Sequence, residues 1–311
     1  MTRLTCLVMA ASLIFLQFVA ADDDVKKDQK DNVKPPPAAT LTTADIYRIA
    51  TEAKKEIKSV QVSYDTSQTK LLDLPGHPAY STYKSRNTFA FLSDGRQMLE
   101  QDGYEGIHYT VASFDGKRTY IALDKDITNV VMVEGKWGKY LDDGDSYCTT
   151  FLDLPLSDRA LKHRDTSWEY PHCLRPGAGI RPFVVRPALE QVNGRWCHVL
   201  EYKGMRIFWV DANIGCAVVQ WHQLDGDPNK PIVHTCLSCD SFIKVGADLW
   251  VPKNGYFELY SPPNSPPQFV GKPYVRTTVA VTNIAINRAT AEDVKLDIRP
   301  GTIIQDGGKA P

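Results

Sequence analysis

The sequence lacks a charge excess of either sign. Its 311 residues include 36 Lys and Arg against 37 Asp and Glu, which gives a formal net charge of −1. Nucleic acids and anionic membrane surfaces attract proteins through clustered positive charge, so this balance gives no reason to expect either as a partner.

The sequence also lacks the short motifs that mark common catalytic centres. It contains no His-Glu-x-x-His and no Gly-x-Ser-x-Gly. Gly177-Ala178-Gly179 has no third glycine, which argues against a nucleotide-binding loop. The acidic loop at 142–145 lacks the spacing of an EF-hand. We therefore expect no enzyme activity, no catalytic residues, no metal site and no cofactor.

Long apolar runs are absent except at the N-terminus, so no transmembrane segment is expected. The apolar stretch 7–16 follows Arg3 and precedes the small residues Val19-Ala20-Ala21. A positive start, a short apolar middle and a small-residue exit are typical of a cleaved signal peptide, here residues 1–21. The protein is therefore expected to be exported, to the periplasm or cell envelope or to the extracellular space.

Two segments of the exported chain lack regular patterning. Residues 22–40 are charged and then rich in proline, which predicts a disordered tether. Residues 41–311 are long enough for a single domain with a sizeable core. Within that domain, residues 142–188 contain five prolines, four of them spaced from 171 to 187, and interrupt the strand pattern. We expect this insertion to act as a lid formed by loops, with one or two short helices at 152–161.

One amphipathic helix is expected at the start of the domain. Thr42 or Thr43 can cap it, and apolar residues at i, i+3, i+4 and i+7 form one stripe from Ile46 to Ile57. Strand-like alternation follows, beginning with residues 60–64, and further strands are expected at 83–92 and 136–141. Asp-Gly or Glu-Gly pairs separate many of the later strands. This pattern predicts an antiparallel meander with no βα repeats.

Five segments resemble the outer-membrane lipoprotein carrier and sorting family, which has the LolA/LolB/LppX-like fold. They include a Trp-x-Asp-x-x-x-Gly turn, a Leu-Trp-Val-Pro corner and a Pro-Gly-Thr ending, and they are residues 57–64, 114–120, 208–215, 245–252 and 298–306. The resemblance implies a mainly β fold with few helices (α+β). It implies a strongly curved antiparallel sheet, an unclosed β-barrel, whose concave face is covered by helices. In this chain we expect the N-terminal helix and the 142–188 insertion, which the family pattern lacks, to cover that face.

That fold would offer an apolar cavity for acyl chains. The candidate lining residues are aromatic or aliphatic positions of neighbouring strands, expected on one face: Tyr83, Phe89, Phe91, Tyr109, Val111 and Tyr120. The alternative is that these side chains are ordinary core, since aromatic stripes on strands usually pack a core.

Six cysteines remain after the signal peptide, an even number that fits disulfides in an exported protein. The candidate disulfide cysteines are Cys148, Cys173, Cys236 and Cys239. Cys236 and Cys239 form a Cys-x-x-Cys that could instead be a redox pair or, with His234 and His222, part of a zinc site.

The sequence thus predicts an exported, non-enzymatic protein that binds a lipid or lipoprotein acyl chain, as a carrier or sorting protein does. An alternative keeps the fold but makes it an envelope regulatory module that contacts another protein, as in the envelope-stress sensors that resemble this family. A third alternative is a secreted hydrolase or redox protein that uses the Cys/His segment. The oligomeric state stays open.

Overall fold

Most of the described residues form β-strands, in segments where apolar and polar residues alternate. The computed structural model describes residues 41–52, 54–74, 82–104, 109–135, 174, 183–227, 229–246 and 249–309. Within these ranges the strands are β1 (Ser59–Lys70), β2 (Tyr83–Leu92), β3 (Gln97–Tyr104), β4 (Tyr109–Phe114), β5 (Arg118–Ala122), β6 (Asn129–Glu134), β7 (Val184–Val185), β8 (Glu190–Val192), β9 (Arg195–Tyr202), β10 (Arg206–Asp211), β11 (Ala217–Asp225), β12 (Ile232–Lys244), β13 (Trp250–Tyr260), β14 (Pro273–Ile286) and β15 (Ile303–Lys309).

The helix α1 (Thr43–Glu52) begins at a reciprocal cap. Asp45 accepts hydrogen bonds from the backbone N–H and the hydroxyl of Thr42, and its own N–H donates to Thr42 Oγ1 at 3.2 Å. This arrangement satisfies N–H groups that the first helical turn leaves without partners. The apolar stripe predicted a longer helix, but α1 ends at Glu52 and residues 54–56 form a turn.

The strands form one large open sheet with β1 near its middle. Its order is β15-β6-β5-β4-β3-β2-β1-β14-β13-β12-β11-β10-β9-β7, and β8 pairs with β9 outside this path. All neighbouring strands are antiparallel except β15, which runs parallel to β6. Because β15 and β7 end the order without pairing to each other, the curved sheet does not close into a barrel.

One face of the sheet, here called the inner face, packs against α1. Ile46 and Ala50 lie one helical turn apart, are almost fully buried, and belong to the same cluster as Val62 and Tyr64 of β1. The cluster continues across the sheet to β13 and β14. Full burial of each large apolar side chain contributes roughly 1.5–3 kcal/mol, so this face is the main source of stability.

The opposite, outer face is covered by the chain itself. The segment 289–298 crosses β2 to β6, where Val294 and Leu296 are buried and Ser113 Oγ donates to the Val294 carbonyl at 2.6 Å. The β8–β9 hairpin covers the other half, where Trp209 Nε1 donates to Glu190 at 2.8 Å. A sheet of this kind buries residues on both faces.

The predicted fold class is confirmed: the described part of the chain is mainly β, with one α-helix and a large, curved, unclosed sheet. The bounds of β2 agree with the prediction, whereas β3 and β15 were missed. β15 contains Gly307 and Gly308, residue types that disfavour strands. The parallel pairing of β15 with β6 also departs from the all-antiparallel expectation.

Several expectations lie outside the described residues. They concern the signal peptide 1–21, the tether 22–40, a strand at 136–141 and short helices at 152–161. Of the 142–188 insertion, the structure describes residue 174 and residues 183–188, and Leu174 and Phe183 pack into the inner-face cluster. Within the described part of the chain, every helix is too short or too polar to cross a membrane.

Candidate functional site

The six residues predicted to line a cavity divide between the two faces of the sheet. Phe89 and Phe91 are 3% and 2% exposed, and both belong to the inner-face cluster with Ile46 and Ala50 of α1. Tyr83 precedes them at the same parity on β2 and pairs with Gln68. These phenylalanines are packed against their neighbours as core residues, and none of the three lines the clefts described below.

Tyr109, Val111 and Tyr120 lie on the outer face. They pack with Leu296 and Ile298 of the C-terminal segment. The expectation that all six residues share one face is therefore wrong. The length of the turn before a strand decides whether its odd-numbered or its even-numbered residues face the core. A shift of one residue therefore moves every side chain of that strand to the other face.

Tyr109 is half-buried on the outer face. Its hydroxyl donates to Glu100 Oε1 at 3.1 Å, and burial together with the Glu100 charge raises the pKa of Tyr109 to about 12. A tyrosine held in this way stays protonated at neutral pH, and its ring is part of the packing between sheet and C-terminal segment.

The structure instead opens a cleft where α1 faces one end of the sheet. This α1 cleft has a volume of about 650 Å³ and three walls: α1 with the residues that follow it, the turn at 212–215, and the corner between β12 and β13. Ile286 and Asn287, at the end of β14, close its base. Its volume falls within the range of roughly 300–1,000 Å³ that is usual for ligand sites.

The helical wall follows from the pattern of α1. Because Ile46 and Ala50 point into the core, Ile49 on the flank of that stripe is half-buried and lines the cleft. Arg48 and Glu52, next to it along the helix, are exposed at the rim. The wall therefore has an apolar base and a charged edge.

The second wall is built by the Trp-x-Asp-x-x-x-Gly segment. Asp211 Oδ1 accepts from the backbone N–H of Asn213 at 2.9 Å, which caps a 3-10 helix at Ala212–Ile214. Gly215 ends that helix with φ of +69°, a left-handed conformation that glycine adopts without strain. Asp211 Oδ2 also accepts from Arg195 Nη1 at 2.9 Å, which fixes the turn to β9.

The third wall is the tight corner that joins β12 to β13. The backbone N–H of Val245 donates to the Leu249 carbonyl at 2.9 Å, which closes the corner. Leu249 is buried in the inner-face cluster, and Trp250 is half-buried beside it along the cleft. The corner thus presents an aliphatic and an aromatic side chain to the same space.

The base of the α1 cleft is continuous with the protein core. Five apolar lining residues pack directly against the inner-face cluster: Ile49, Ile57, Ala212, Val245 and Ile286. The charged lining residues Arg48, Glu52 and Glu56 are all exposed. A ligand in this cleft would have an apolar surface beneath it and polar groups at the entrance.

None of these lining residues was a predicted site residue. Two of the walls, however, lie in segments 208–215 and 245–252, which carried the family resemblance. The sequence thus contained a signal for two walls, but the approach of α1 to them depends on tertiary packing.

No disulfide joins the described cysteines, Cys197, Cys216, Cys236 and Cys239, to one another. Cys236 and Cys239 are 4% and 1% exposed, and Cys197 and Cys216 are fully buried. Of the four candidate disulfide cysteines, Cys236 and Cys239 form no disulfide with each other, and Cys148 and Cys173 lie outside the described residues. Burial, with a smaller contribution from Glu258, raises the pKa of Cys236 to about 12, so its thiolate is disfavoured.

The residues proposed as zinc ligands are also not arranged around a common point. His222 lies opposite Cys236 on the neighbouring strand, but its Nε2 is 2.9 Å from Gln220, and His234 contacts Thr235. Among the described residues, no three His, Cys, Asp or Glu side chains converge as metal ligands would.

Comparisons with known proteins are limited to solved structures. No family model and no curated protein matches the chain. A LolA superfamily protein from Nitrosomonas europaea is 10% identical over 83% of this chain and 99% of its own, with a TM-score of 0.45. A putative outer membrane lipoprotein-sorting protein domain from Vibrio parahaemolyticus is 10% identical over 80% and 95%, with a TM-score of 0.42. A DUF1329 family protein from Desulfovibrio piger is 12% identical over 80% and 94%, with a TM-score of 0.36.

These similarities concern the fold alone. The names of the first two contain the family that the five sequence segments resemble.

Proposed function

We propose that this chain is a non-enzymatic binding protein that holds the acyl chain of a lipid or lipoprotein in the α1 cleft. The observation that carries the proposal is the apolar base of that cleft, which is an extension of the inner-face core. An open surface of this kind favours burial of an apolar ligand, because water leaves both surfaces on binding.

The expected affinity follows from the length of chain that the cleft covers. Each methylene removed from water contributes roughly 0.8 kcal/mol, so about ten methylenes contribute roughly 8 kcal/mol. This corresponds to a Kd of about 1 µM before the cost of ordering the chain is subtracted. Affinity in this range permits reversible loading and release without a covalent step, as carrier or sorting activity requires.

The proposal includes export. Residues 1–21 would direct the protein out of the cytoplasm as a signal peptide, and the mature protein would act in the periplasm or cell envelope. N-terminal sequencing of the mature protein tests this part: cleavage after Ala21 supports it, and retention of residues 1–21 contradicts it.

The binding site can be tested by titration with a fluorescent fatty acid. An Ile49→Asp variant places a carboxylate on the apolar base, where its desolvation opposes ligand burial, and we expect at least about tenfold weaker binding. The matched control is Leu123→Asp, at a position that is 61% exposed and lines neither cleft, and it should bind as the wild type does.

A second variant covers the case in which Ile49→Asp fails to fold. Ala212→Trp adds bulk to the opposite wall without adding charge, and it should also weaken binding. Far-UV circular dichroism and a thermal melt establish which variants are folded. Undiminished binding by a folded variant of either kind, or no binding by the wild type, contradicts the proposed function.

A further inference from the structure

The sheet opens between β13 and β14 close to the α1 cleft. The antiparallel register of these strands runs from Tyr260 and Pro273 to Asn254 and Ala280, where it ends. β14 continues to Ile286 and pairs there with β1 on its other side. On their β13 side, residues 281–286 pair with no strand of the described chain. A gap in the sheet therefore lies beside them.

This β14 gap, defined by residues 281–286 and the side chains opposite them, is strongly basic. It has a volume of about 430 Å³, and its lining includes Lys244, Lys253 and Arg288. All three are exposed, and none of its lining residues is Asp or Glu. In the described part of the chain, none of the three cations forms an ion pair.

The backbone adds donors to this positive charge. Alternate residues of an antiparallel strand direct their N–H and C=O groups to opposite sides. In the stretch 281–286, the groups on the β13 side therefore face the gap instead of a neighbouring strand. Backbone N–H groups and Arg or Lys side chains together are the donors that bind phosphate and carboxylate oxygens.

The β14 gap and the α1 cleft adjoin each other. Val245 and Ile286 line both of them. At the junction, Lys244 Nζ lies 5.8 Å from the centre of the Trp250 ring, so a cation of the gap stands beside an aromatic residue of the cleft. A cationic site and an apolar site therefore lie side by side, with Val245 and Ile286 between them.

We propose that the β14 gap binds the anionic headgroup of an amphiphile whose acyl chain lies in the α1 cleft. The ligand is thus a phosphate- or carboxylate-bearing lipid and not a neutral one. This inference rests on the proposed function, and it specifies which class of lipid that site takes. Lys244, Lys253 and Arg288 contact the headgroup, and their charge selects it.

The test compares two lipids that share one acyl chain. Oleoyl lysophosphatidic acid carries a phosphate, and monoolein carries a neutral glycerol, so the difference between their Kd values reports the headgroup alone. Three partly exposed ion pairs of modest strength predict about tenfold tighter binding of the phosphate lipid. This preference should shrink as salt concentration rises.

The critical variant is the triple substitution Lys244→Gln, Lys253→Gln and Arg288→Gln. It should bind both lipids with the affinity that the wild type has for monoolein. The matched control removes the same charge from three exposed residues outside the gap and the cleft, by Lys230→Gln, Lys272→Gln and Arg299→Gln. The control should keep the wild-type preference.

The outcomes separate this inference from the proposed function. If monoolein binds and the wild type shows no preference for the phosphate lipid, the headgroup site is wrong and the acyl site stands. The headgroup site is also wrong if both triple variants lose the preference equally. If neither lipid binds, both proposals are wrong. Titration with inorganic phosphate distinguishes a free-anion site: tight phosphate binding without lipid selectivity overturns the headgroup proposal.

Discussion

The side chain of Asn287 holds the segment that joins α1 to β1: its Oδ1 accepts a hydrogen bond from the backbone N–H of Lys58 at 2.6 Å. Its Nδ2 donates to the Glu56 carbonyl at 2.9 Å, and its backbone N–H donates to the Ser59 carbonyl at 2.8 Å. One residue at the end of β14 thereby positions the helical wall of the α1 cleft. Its φ of +57° is left-handed, a conformation that asparagine tolerates better than most residues.

Replacement of Asn287 should lower stability through two separable causes. Asn287→Ala removes three side-chain hydrogen bonds, the third being from the Ser59 N–H to Oδ1 at 3.3 Å, and keeps a Cβ at positive φ. We expect a loss of about 1–3 kcal/mol in the free energy of unfolding. Asn287→Gly loses the same bonds but relaxes the backbone, and it should be more stable than the alanine variant by about 1 kcal/mol. Urea unfolding measures both values, and two variants as stable as the wild type would show that this contact is unimportant.

The two cysteines of the Cys-x-x-Cys segment face opposite sides of β12. Cys239 belongs to the inner-face cluster with Leu237, two residues before it. Cys236 has the other parity and pairs with His222 and Glu258 on the neighbouring strands. Successive side chains of a strand alternate between its two faces. Because Cys236 and Cys239 are three residues apart, their thiols lie on opposite faces and are too far apart for a disulfide, whereas a helix or turn would allow them to meet.

Native alkylation should therefore leave Cys236 and Cys239 unmodified. Peptide mapping after iodoacetamide treatment at about pH 8 reports each thiol, and burial together with the high pKa of Cys236 should protect the native protein. In denaturant without reductant, both should be alkylated. If the cysteines resist alkylation in denaturant until a reductant is added, they form a disulfide. If the native protein is alkylated rapidly, these sites are accessible.

His222 makes stability depend on pH. Burial lowers the pKa of His222 from its ordinary value of 6.5, and its ring lies against Trp209 at 4.8 Å between centres. Since the unfolded chain binds the proton more readily than the folded protein, the free energy of unfolding should decrease as the pH falls below 6.5. At higher pH this contribution is fully present.

The variant His222→Gln removes the titration and keeps a hydrogen-bonding group near Gln220. Its free energy of unfolding, measured in urea between about pH 8 and pH 5, should fall less steeply than that of the wild type. Parallel curves for the two proteins would mean that His222 takes up its proton equally in both states.

The sequence predicted the strands well because their signals are local. β2 has the predicted bounds because the Asp94-Gly95 turn follows it directly. β3 was missed since its acidic and amide residues and Gly103 weaken the alternation, and pairing with β2 and β4 determines its structure. Local pattern cannot supply such partners.

The site was harder to predict than the fold, for a physical reason. Phe89 and Val111 look equally suitable for a cavity in the sequence, yet they lie on opposite faces because parity is reset at every turn. The α1 cleft brings residues near position 50 together with others near 213, 246 and 286. Those distances along the chain carry no periodic signal.

Quenching of Trp250 by a brominated fatty acid tests the acyl site most directly, because bromine quenches tryptophan fluorescence only at contact. We expect the wild type to be quenched and Trp250→Phe to lose much of that quenching. The control, Trp209→Phe, removes a buried tryptophan on the outer face, and this variant should be quenched as strongly as the wild type. Quenching that is unchanged by Trp250→Phe would place the acyl chain elsewhere and contradict the α1 cleft as the binding site.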